Sequence, residues 1–219
     1  RSTDHDISPM FLERWSPRAM TGAAISEAEL MVLFDAARWA PSSYNSQPWR
    51  FLYARRDTAH WPMFLSFLNA NNQSWAKNAS ALVVLVSKKN MLPPGAAAEV
   101  PSYTHALDAG AAWAYLALQA QLKGLAAHAM IGFDMARAAE ELRVPADHRV
   151  EIAIAIGKKG DKSVLPEALQ AREAPNSRQP LGAIVREGRA AGVATPVNDT
   201  VVNILRAKEA GFKLEGWKI

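Results

Sequence analysis

The sequence predicts an α+β or α/β sandwich, in which helices cover one central sheet. Two observations carry this prediction. Helical and strand-like patterns alternate along the chain, and one run, residues 81–86 (Ala-Leu-Val-Val-Leu-Val), is apolar throughout. A strand without polar alternation is typically covered on both faces. Helices interspersed with strands then form layers on each side of the sheet.

Local signals place the ends of several helices. Ser8-Pro9 combines an N-cap with a proline at the first helical position, which predicts a short helix ending near residue 14. Residues 26–29 (Ser-Glu-Ala-Glu) form a capping box that starts a second helix, and Pro41 ends it. The alanine-rich residues 102–123 predict a long central helix, with Gly124 as its C-terminal cap.

Apolar periodicity predicts the remaining elements. We expect strands at 51–54, 81–86, 125–131 and 150–156, and helices at 58–68, 72–78, 134–142, 181–187 and 200–209. Residues 90–101 carry three prolines and one glycine and are predicted to form a loop. Trp39 and Trp61 are expected in the core.

The 219 residues are interpreted as a single domain, because the length suffices for a sizeable core and no linker separates two cores. The polar residues 1–7 are expected to be disordered. Residues 188–219 lack a strong core pattern. We expect them to form a C-terminal extension that lies across a partner subunit.

Composition excludes several classes of function. The chain has no cysteine, which rules out disulfides, thiolate nucleophiles, iron–sulfur clusters and zinc ribbons, and suits a reducing cytoplasm. Its five histidines show no metal-ligand spacing, so no metal site is expected. No apolar run approaches the roughly 20 residues that a membrane span requires. The net charge of +4 is scattered, which argues against nucleic-acid binding and favours a small anionic ligand.

The most informative stretch is residues 41–49, Pro-Ser-Ser-Tyr-Asn-Ser-Gln-Pro-Trp. Two prolines stiffen it, and between them stand hydroxyl groups and the primary amides of Asn45 and Gln47. An amide presents a donor beside an acceptor, which complements the C=O, N–H and C=O along the pyrimidine edge of a flavin. A polar turn is the simpler interpretation of Ser42 and Ser43, but it explains neither Gln47 nor the flanking prolines.

A second motif precedes the capping-box helix. Arg14, Ser16 and Arg18 recur at every second position, so in an extended chain their side chains point the same way. Two guanidinium groups and a hydroxyl suit a phosphate dianion. Taken alone, this motif is better explained as a solvated basic loop. Together, the two motifs suggest a site for flavin mononucleotide, FMN.

Both motifs resemble those of the FMN-dependent nitroreductases, a family of oxygen-insensitive flavoproteins. That family opens with Arg-x-Ser-x-Arg/Lys and continues with a helix that ends in Ala-x-x-Ala-Pro-Ser-x-x-Asn-x-Gln-Pro-Trp, which matches residues 37–49 here. The similarity extends through Asn72, residues 131–134 and Arg178, and covers about residues 11–181. It implies a nitroreductase-like α+β fold with a mostly antiparallel central sheet, in an intertwined homodimer.

The resemblance also implies which residues bind the cofactor. Arg14, Ser16 and Arg178 would hold the ribityl phosphate. The main-chain N–H near Ile131 or Gly132 would face flavin N5, so no side chain is expected to be catalytic. The complete set of expected cofactor-binding residues is Arg14, Trp15, Ser16, Arg18, Pro41, Ser42, Ser43, Asn45, Gln47, Asn72, Met130, Ile131, Gly132 and Arg178.

Further roles concern the flavin ring. The resemblance implies that Arg18 lies near N1 and O2, where reduced flavin carries negative charge and a fixed cation favours it. Residues 41–43 would line the ring, Asn45 and Asn72 would offer amides to the pyrimidine, and Gln47 would reach the ribityl chain.

The implied activity is a ping-pong reaction. NADH or NADPH would pass hydride to flavin N5 and leave, and a nitroaromatic compound or a quinone would then take the electrons. Dinitroaniline-type xenobiotics are expected substrates on family grounds alone. The enzyme is expected to be a cytoplasmic homodimer with two flavins at its interface, and the helix at 102–123 is the expected dimer face.

Three alternatives stay open. A reductive dehalogenase or a flavin-consuming enzyme of the same fold would need an active-site lid, for which residues 90–101 are short. A flavin-binding redox sensor would bind the cofactor without turnover. A basic nucleic-acid-binding domain would bind no flavin and would show salt-sensitive DNA binding.

The sequence departs from the family at several positions. Asn176 stands where a lysine is common, which would weaken phosphate binding. Ala129 and Ile131 stand where proline and glutamate are frequent. Trp75 replaces a basic residue of some relatives, and we expect it to influence which compound fits over the ring. The histidine at 128 is expected to be a core residue, whereas Tyr103 and His105 are expected on the helix surface or at the edge of a substrate pocket.

Overall fold

The computed structural model describes residues 1–3 and 5–178 of the chain. Arg1–Pro175 form one compact unit, and the described residues 176–178 belong to a second. The helices predicted at 181–187 and 200–209, and the extension at 188–219, lie outside the described residues. The single-domain interpretation and the disorder of residues 1–7 stay predictions.

A four-stranded sheet forms the centre of the first unit. The described strands are β1 (Trp49–Arg55), β2 (Ala81–Lys88), β3 (Asn90–Met91), β4 (Val100–Pro101), β5 (Leu125–Met130) and β6 (His148–Lys158). In the central sheet the strand order is β1-β2-β6-β5, and each of its three pairs is antiparallel. The predicted α+β class with an antiparallel central sheet is therefore confirmed.

Helices cover both faces of this sheet. They are α1 (Pro9–Glu13), α2 (Glu27–Arg38), α3 (Trp61–Phe67), α4 (Ala70–Ala76), α5 (His105–Leu122), α6 (Met135–Glu141) and α7 (Glu167–Gln170). Buried side chains of α2 and α5 form one apolar cluster with the sheet. Buried side chains of α3, α4 and α6 form a second cluster, on the opposite face.

Strand β2 contributes to both clusters, as its uninterrupted apolar run predicts. Leu82, Val84 and Val86 pack on the face of α3, α4 and α6, whereas Val83 and Leu85 pack on the face of α2 and α5. All five are at most 2% exposed. Because burial of each such side chain contributes about 1.5–3 kcal/mol, this strand stabilises both layers at once.

The start of α2 matches its prediction, but the residue that follows the helix does not. Ser26 Oγ accepts the N–H of Glu29 at 3.1 Å, and Glu29 Oε2 accepts the N–H of Ser26 at 2.7 Å, which completes the capping box. Trp39, predicted to lie in the core, is 72% exposed. It is the C-cap of α2, and the Arg38 guanidinium lies 5.5 Å from its ring centroid. The prediction is wrong because this position faces away from the sheet.

The predicted loop at residues 90–101 contains a short hairpin. Strands β3 and β4 pair Asn90 with Pro101 and Met91 with Val100. An ion pair between Lys88 and Glu99 closes the same segment. Proline is tolerated at the edge of a ladder where no N–H has to be donated, so the proline content did not exclude strands here.

Helix α5 lies close to the sheet because the side chains on its inner side are mostly small. The inner residues Ala109, Ala112, Leu116 and Ala120 are at most 1% exposed. On the outer side, Leu107, Tyr115 and Leu122 are 74%, 42% and 65% exposed. The longest described helix therefore presents apolar side chains to solvent. No helix within the described residues is long and apolar enough to cross a membrane.

Candidate active site

The loop between α2 and β1 has a strained backbone. Ser43–Asn45 form one 3-10 turn, and Tyr44, Asn45 and Gln47 have positive φ angles of 51°, 53° and 46°. Tyrosine and glutamine rarely adopt this conformation, which costs about 1–2 kcal/mol each, whereas asparagine tolerates it better. Such strain persists only where surrounding groups hold the chain, and it is concentrated at binding sites.

Hydrogen bonds inside the loop hold this conformation. Ser42 Oγ accepts the main-chain N–H of Gln47 at 3.0 Å. The side-chain amide of Gln47 donates to Asn45 Oδ1 at 3.2 Å. The two primary amides singled out from the sequence therefore contact each other. Asn45 is exposed and Gln47 is half-buried, so the pair is accessible from solvent.

Asp108 of α5 binds the same loop and was missed by sequence reasoning. Its carboxylate is buried, and Oδ2 accepts the N–H of Ser43 at 3.2 Å and the hydroxyl of Thr104 at 3.0 Å. A cavity of about 530 Å³ opens beside it, against Pro41 and Ser42. The sequence offered one indication of this role, namely that Asp108 is an acidic residue in an otherwise alanine-rich helix.

At the other edge of the sheet, residues 14–18 lie beside β5. Arg14 Nη1 donates to Ser16 Oγ at 3.3 Å, so these two groups face the same region. Trp15 contacts a cation instead, since Lys159 Nζ lies 5.2 Å from its ring centroid. The segment thus carries polar donors on one side and an aromatic contact on the other.

Glu173 is a second residue that sequence reasoning missed. Its Oε1 accepts the main-chain N–H groups of Arg18 at 2.7 Å and of Ala19 at 2.8 Å. Its Oε2 lies 3.8 Å from Arg18 Nη1, and the glutamate side chain is only 4% exposed. The carboxylate therefore binds both the backbone and the side chain of Arg18.

His128 of β5 holds the segment from the sheet. Its Nδ1–H donates to the carbonyl of Pro17 at 3.1 Å, and its ring centroid lies 4.7 Å from that of Trp75. Burial lowers the pKa of His128, so the ring is neutral near pH 7. Trp75 is 1% exposed. Trp75 therefore packs in the core, so its predicted influence on which compound fits over the ring does not come from an exposed side chain.

Two asparagines hold the turn that follows β5. The carbonyl of Gly132 accepts the N–H of Asn69 at 3.0 Å and the side-chain amide of Asn72 at 3.0 Å. A Cβ at Gly132 would lie 2.5 Å from Asn69 Nδ2 and 2.7 Å from Asn72 Nδ2, so only glycine fits without displacement. Asn69 is the N-cap of α4, a local pattern from which it could have been found.

This turn also presents hydrogen-bond donors to solvent. Within the described residues, the main-chain N–H groups of Ile131 and Gly132 donate no hydrogen bond. Ile131 is 77% exposed, whereas the preceding Met130 is buried. Unpaired N–H groups at an accessible position can bind an acceptor atom of a ligand.

A separate polar cluster holds the start of α5. The Ser87 hydroxyl donates to the carboxylate of Glu151 and lies 2.7 Å from His105 Nδ1. His105 therefore contacts Ser87 and Glu151 at the end of the sheet, while Tyr103 is fully exposed. Among residues 1–3 and 5–178, no three acidic or histidine side chains are grouped so that they could hold a metal ion.

The predicted site residues fall into two groups at opposite edges of the sheet. The loop 41–47 precedes β1 and is bound by α5, whereas residues 14–18, Asn72 and residues 130–132 lie around β5. Strands β2 and β6 separate these edges by three inter-strand spacings, about 14 Å. Of these two groups, only the first lines the cavity beside Asp108, through Pro41 and Ser42. Arg178 belongs to the second unit, where it is exposed.

Known structures and sequences resemble this chain. A crystal structure of an oxidoreductase containing FMN shares 46% identity at a TM-score of 0.80, over 83% of this chain and 91% of that one. An uncharacterised 15.4 kDa protein of Mycolicibacterium smegmatis is 35% identical over 57% of this chain and 81% of its own length. The major NAD(P)H-flavin oxidoreductase of Aliivibrio fischeri is 38% identical over 66 residues, 29% of this chain and 30% of that protein.

Two family models match the sequence. One, described as Ketopantoate reductase PanE/ApbA C terminal, matches residues 110–209, less than half of the chain. The other, described as Nitroreductase family, matches residues 12–158. This second match includes the loop 41–47, all four strands of the central sheet and the turn after β5. The chain belongs to the nitroreductase family.

Proposed function

We propose that the protein binds FMN and transfers electrons from NADH or NADPH to small nitroaromatic compounds or quinones. One observation carries the proposal. The N–H groups of Ile131 and Gly132 donate no hydrogen bond within the described residues and lie in the turn that binds the Asn72 amide, and the segment with Arg14 and Ser16 is held by His128 of β5, the strand before that turn. A flavin nucleotide requires such a set, because its ring offers acceptors and its phosphate requires cationic donors. The FMN of the 46% identical crystal structure supports the same cofactor here.

The phosphate would be bound by Arg14, Ser16 and Arg178. Arg14 and Ser16 already form a contiguous donor pair, and a second guanidinium would balance the dianion. Trp15, held by Lys159, would keep this segment extended. Arg18 would place a positive charge near the pyrimidine of the flavin, which favours the reduced, anionic form.

The ring would be bound by amides and by main-chain groups. Asn45 and Asn72 would complement the pyrimidine edge, since each offers a donor and an acceptor, and Gln47 would reach the ribityl chain. Residues 41–43 would line the ring, and residues 130–132 would present their N–H groups to N5. Strain in the loop supports this assignment, because strained backbone is concentrated at ligand sites.

FMN, when bound, supplies two-electron hydride chemistry, so the electron donor and the acceptor can use the same face of the ring in turn. The residues of the chain would bind and orient the ring and exclude water from it. No acid or base among the side chains is required, because the cofactor carries the chemistry.

We also propose that two copies of the chain build each site. A second copy could bring its loop 41–47 against the β5 edge of the first, which joins two groups that lie at opposite edges of the sheet in one protomer. The outer side of α5, with Leu107, Tyr115 and Leu122 exposed, would form the contact. Exposed apolar surface of this kind is typical of protein–protein interfaces.

The absorption spectrum of the purified protein tests the cofactor. We expect a flavin spectrum that NADH or NADPH bleaches without oxygen and that a nitroaromatic compound or a quinone restores. A flavin redox sensor would bleach but show little turnover beyond slow oxygen reduction. A colourless protein that takes up no added FMN would refute the proposal, and salt-sensitive DNA binding by it would favour the nucleic-acid alternative.

Mixed dimers test the shared site. Differently tagged Arg14→Ala and Asn45→Leu chains are co-expressed, and the dimer that carries both tags is isolated. Each variant homodimer should lose FMN, whereas the mixed dimer should retain one FMN per dimer, because one of its two sites has both groups intact. A doubly tagged Arg14→Ala dimer is the control. A mixed dimer as empty as this control would contradict the shared site.

A further inference from the structure

We infer that Glu173 is a positioning residue that limits how strongly Arg18 favours the reduced flavin. The inference rests on the proposed function, in which Arg18 lies near the flavin pyrimidine. It assigns to Glu173 two effects: one on the backbone of residues 18 and 19, and one on the charge next to the ring.

The first effect is geometric. Glu173 Oε1 accepts two consecutive N–H groups, those of Arg18 at 2.7 Å and of Ala19 at 2.8 Å. Hydrogen bonds to an ionised acceptor are about twice as strong as those between neutral groups. These contacts span a separation of 155 residues for Arg18, so they join the segment after α7 to the segment after α1.

The second effect is electrostatic. Glu173 Oε2 is buried and has no hydrogen-bond partner within the described residues. Arg18 Nη1 lies 3.8 Å from this oxygen. The Glu173 side chain is 4% exposed and the Arg18 side chain is 23% exposed. Charges at this separation interact more strongly in a protein interior than in water. The carboxylate therefore offsets part of the positive potential that Arg18 creates.

The two effects have different consequences for a bound flavin. Loss of the backbone contacts would loosen the oxidised and the reduced flavin alike, because both need the same segment. Loss of the negative charge would favour the reduced flavin alone, because that form carries the negative charge near Arg18. Only the second change raises the midpoint potential, so the potential separates a charge effect from a purely structural role.

Redox titration of the FMN-loaded protein against a reference dye tests the inference. Glu173→Gln keeps an oxygen that can accept both N–H groups and removes the charge. We expect its ratio of reduced to oxidised FMN affinity to rise about tenfold, which corresponds to about 30 mV for a two-electron couple. Glu173→Asp keeps the charge, and its ratio should remain within about threefold of the wild type.

Further outcomes identify the cause. With Arg18→Gln already present, Glu173→Gln should shift the ratio much less, because the charge that it unmasks is gone. A Glu173→Gln protein that binds FMN more weakly but has an unchanged midpoint potential would overturn the inference. If Glu173→Gln does not fold, a tenfold change in the ratio of reduced to oxidised FMN affinity in Glu173→Asp would overturn it as well. Wild-type protein that binds no FMN would refute the proposed function itself, and the inference with it.

Discussion

Asp108 and Ser43 connect helix α5 to the strained loop before β1. Asp108 Oδ2 accepts the Ser43 N–H at 3.2 Å and the Thr104 hydroxyl at 3.0 Å. The loop has three residues at positive φ, so it needs contacts from outside itself to keep its shape. A buried carboxylate in turn requires donors. The loop therefore supplies a donor to the buried carboxylate of Asp108, and Asp108 supplies the outside contact that the loop needs.

Replacing Asp108 by alanine should weaken FMN binding without preventing folding. The change leaves the Ser43 N–H unpaired, and a hydrogen bond to a charged group is worth about 1.5–3 kcal/mol, so we expect a roughly tenfold higher dissociation constant for FMN. Asp108→Asn keeps an acceptor and should lose less. Asp35→Ala, at an exposed carboxylate of α2, is the matched control. Equal affinities in an FMN titration of all four proteins would disprove a role for Asp108.

Replacing Tyr44 by asparagine should stabilise the protein. Asparagine tolerates a positive φ better than tyrosine does, so we expect the free energy of unfolding to rise by about 0.5–1 kcal/mol in urea titrations. Tyr103→Asn is the control, because Tyr103 is also exposed but does not have a positive φ. It should change stability by less than about 0.5 kcal/mol. The same gain in both variants would mean that strain at Tyr44 is not the cause.

Replacing Gly132 by alanine should displace the turn after β5. The new methyl group would lie 2.5 Å from Asn69 Nδ2, and overpacking of this kind costs about 1–3 kcal/mol. We expect a lower midpoint of thermal unfolding and weaker FMN binding. Adding Asn69→Ser should recover part of both, since serine can still cap α4 but is shorter. A single variant with wild-type stability and FMN affinity would be inconsistent with this geometry.

Stability should fall at acid pH because of His128. Burial lowers the pKa of His128 in the folded protein, whereas the unfolded chain titrates near 6.5. Below that pH the unfolded state binds a proton more readily than the folded state does. The contribution of the neutral ring to the free energy of unfolding is therefore complete above about pH 6.5 and declines on acidification. This group changes the free energy of unfolding by at most about 1.4 kcal/mol per pH unit.

Urea unfolding between pH 5 and 8 measures this contribution. His128→Gln can still donate to the Pro17 carbonyl but does not titrate, so its profile should be flatter than that of the wild type. Parallel profiles for the two proteins would show that another group is responsible.

Replacing Leu122 by glutamate should dissociate the proposed dimer. Leu122 is 65% exposed in the protomer, so the fold should tolerate a charge there. At an interface the charge would be buried without a partner, which costs roughly 3 kcal/mol or more. Light scattering should therefore show a monomer that has lost FMN. Val164→Glu, at an exposed apolar residue outside α5, should stay dimeric. A monomeric wild type would contradict the dimer directly.

The sequence was most informative where a pattern is local. The apolar run at 81–86 predicted a strand covered on both faces, and residues 26–29 predicted the capping box whose hydrogen bonds are present. Asp108 and Glu173 were missed because they bind Ser43 and Arg18, which lie 65 and 155 residues away. No local pattern records such a contact.

The burial of two tryptophans depends on contacts that no local pattern records. Residue type predicts that Trp39 lies in the core, yet its position after the last turn of α2 leaves it exposed. Family likeness predicts that Trp75 influences which compound fits over the ring, but α4 packs on the sheet so that Trp75 is buried. In both cases the orientation of a helix, which depends on distant contacts, decided the outcome.

The alanines on the inner side of α5 have a consequence for how this protein can evolve. Ala109, Ala112 and Ala120 are at most 1% exposed, so a larger residue at any of them should overpack the layer, lift the helix and displace Asp108. Substitutions at these alanines would then impair the loop that Asp108 binds before they prevent folding, and selection would act on them through that loss. We expect natural variation to be narrower along this side of α5 than at equally buried positions elsewhere in the chain.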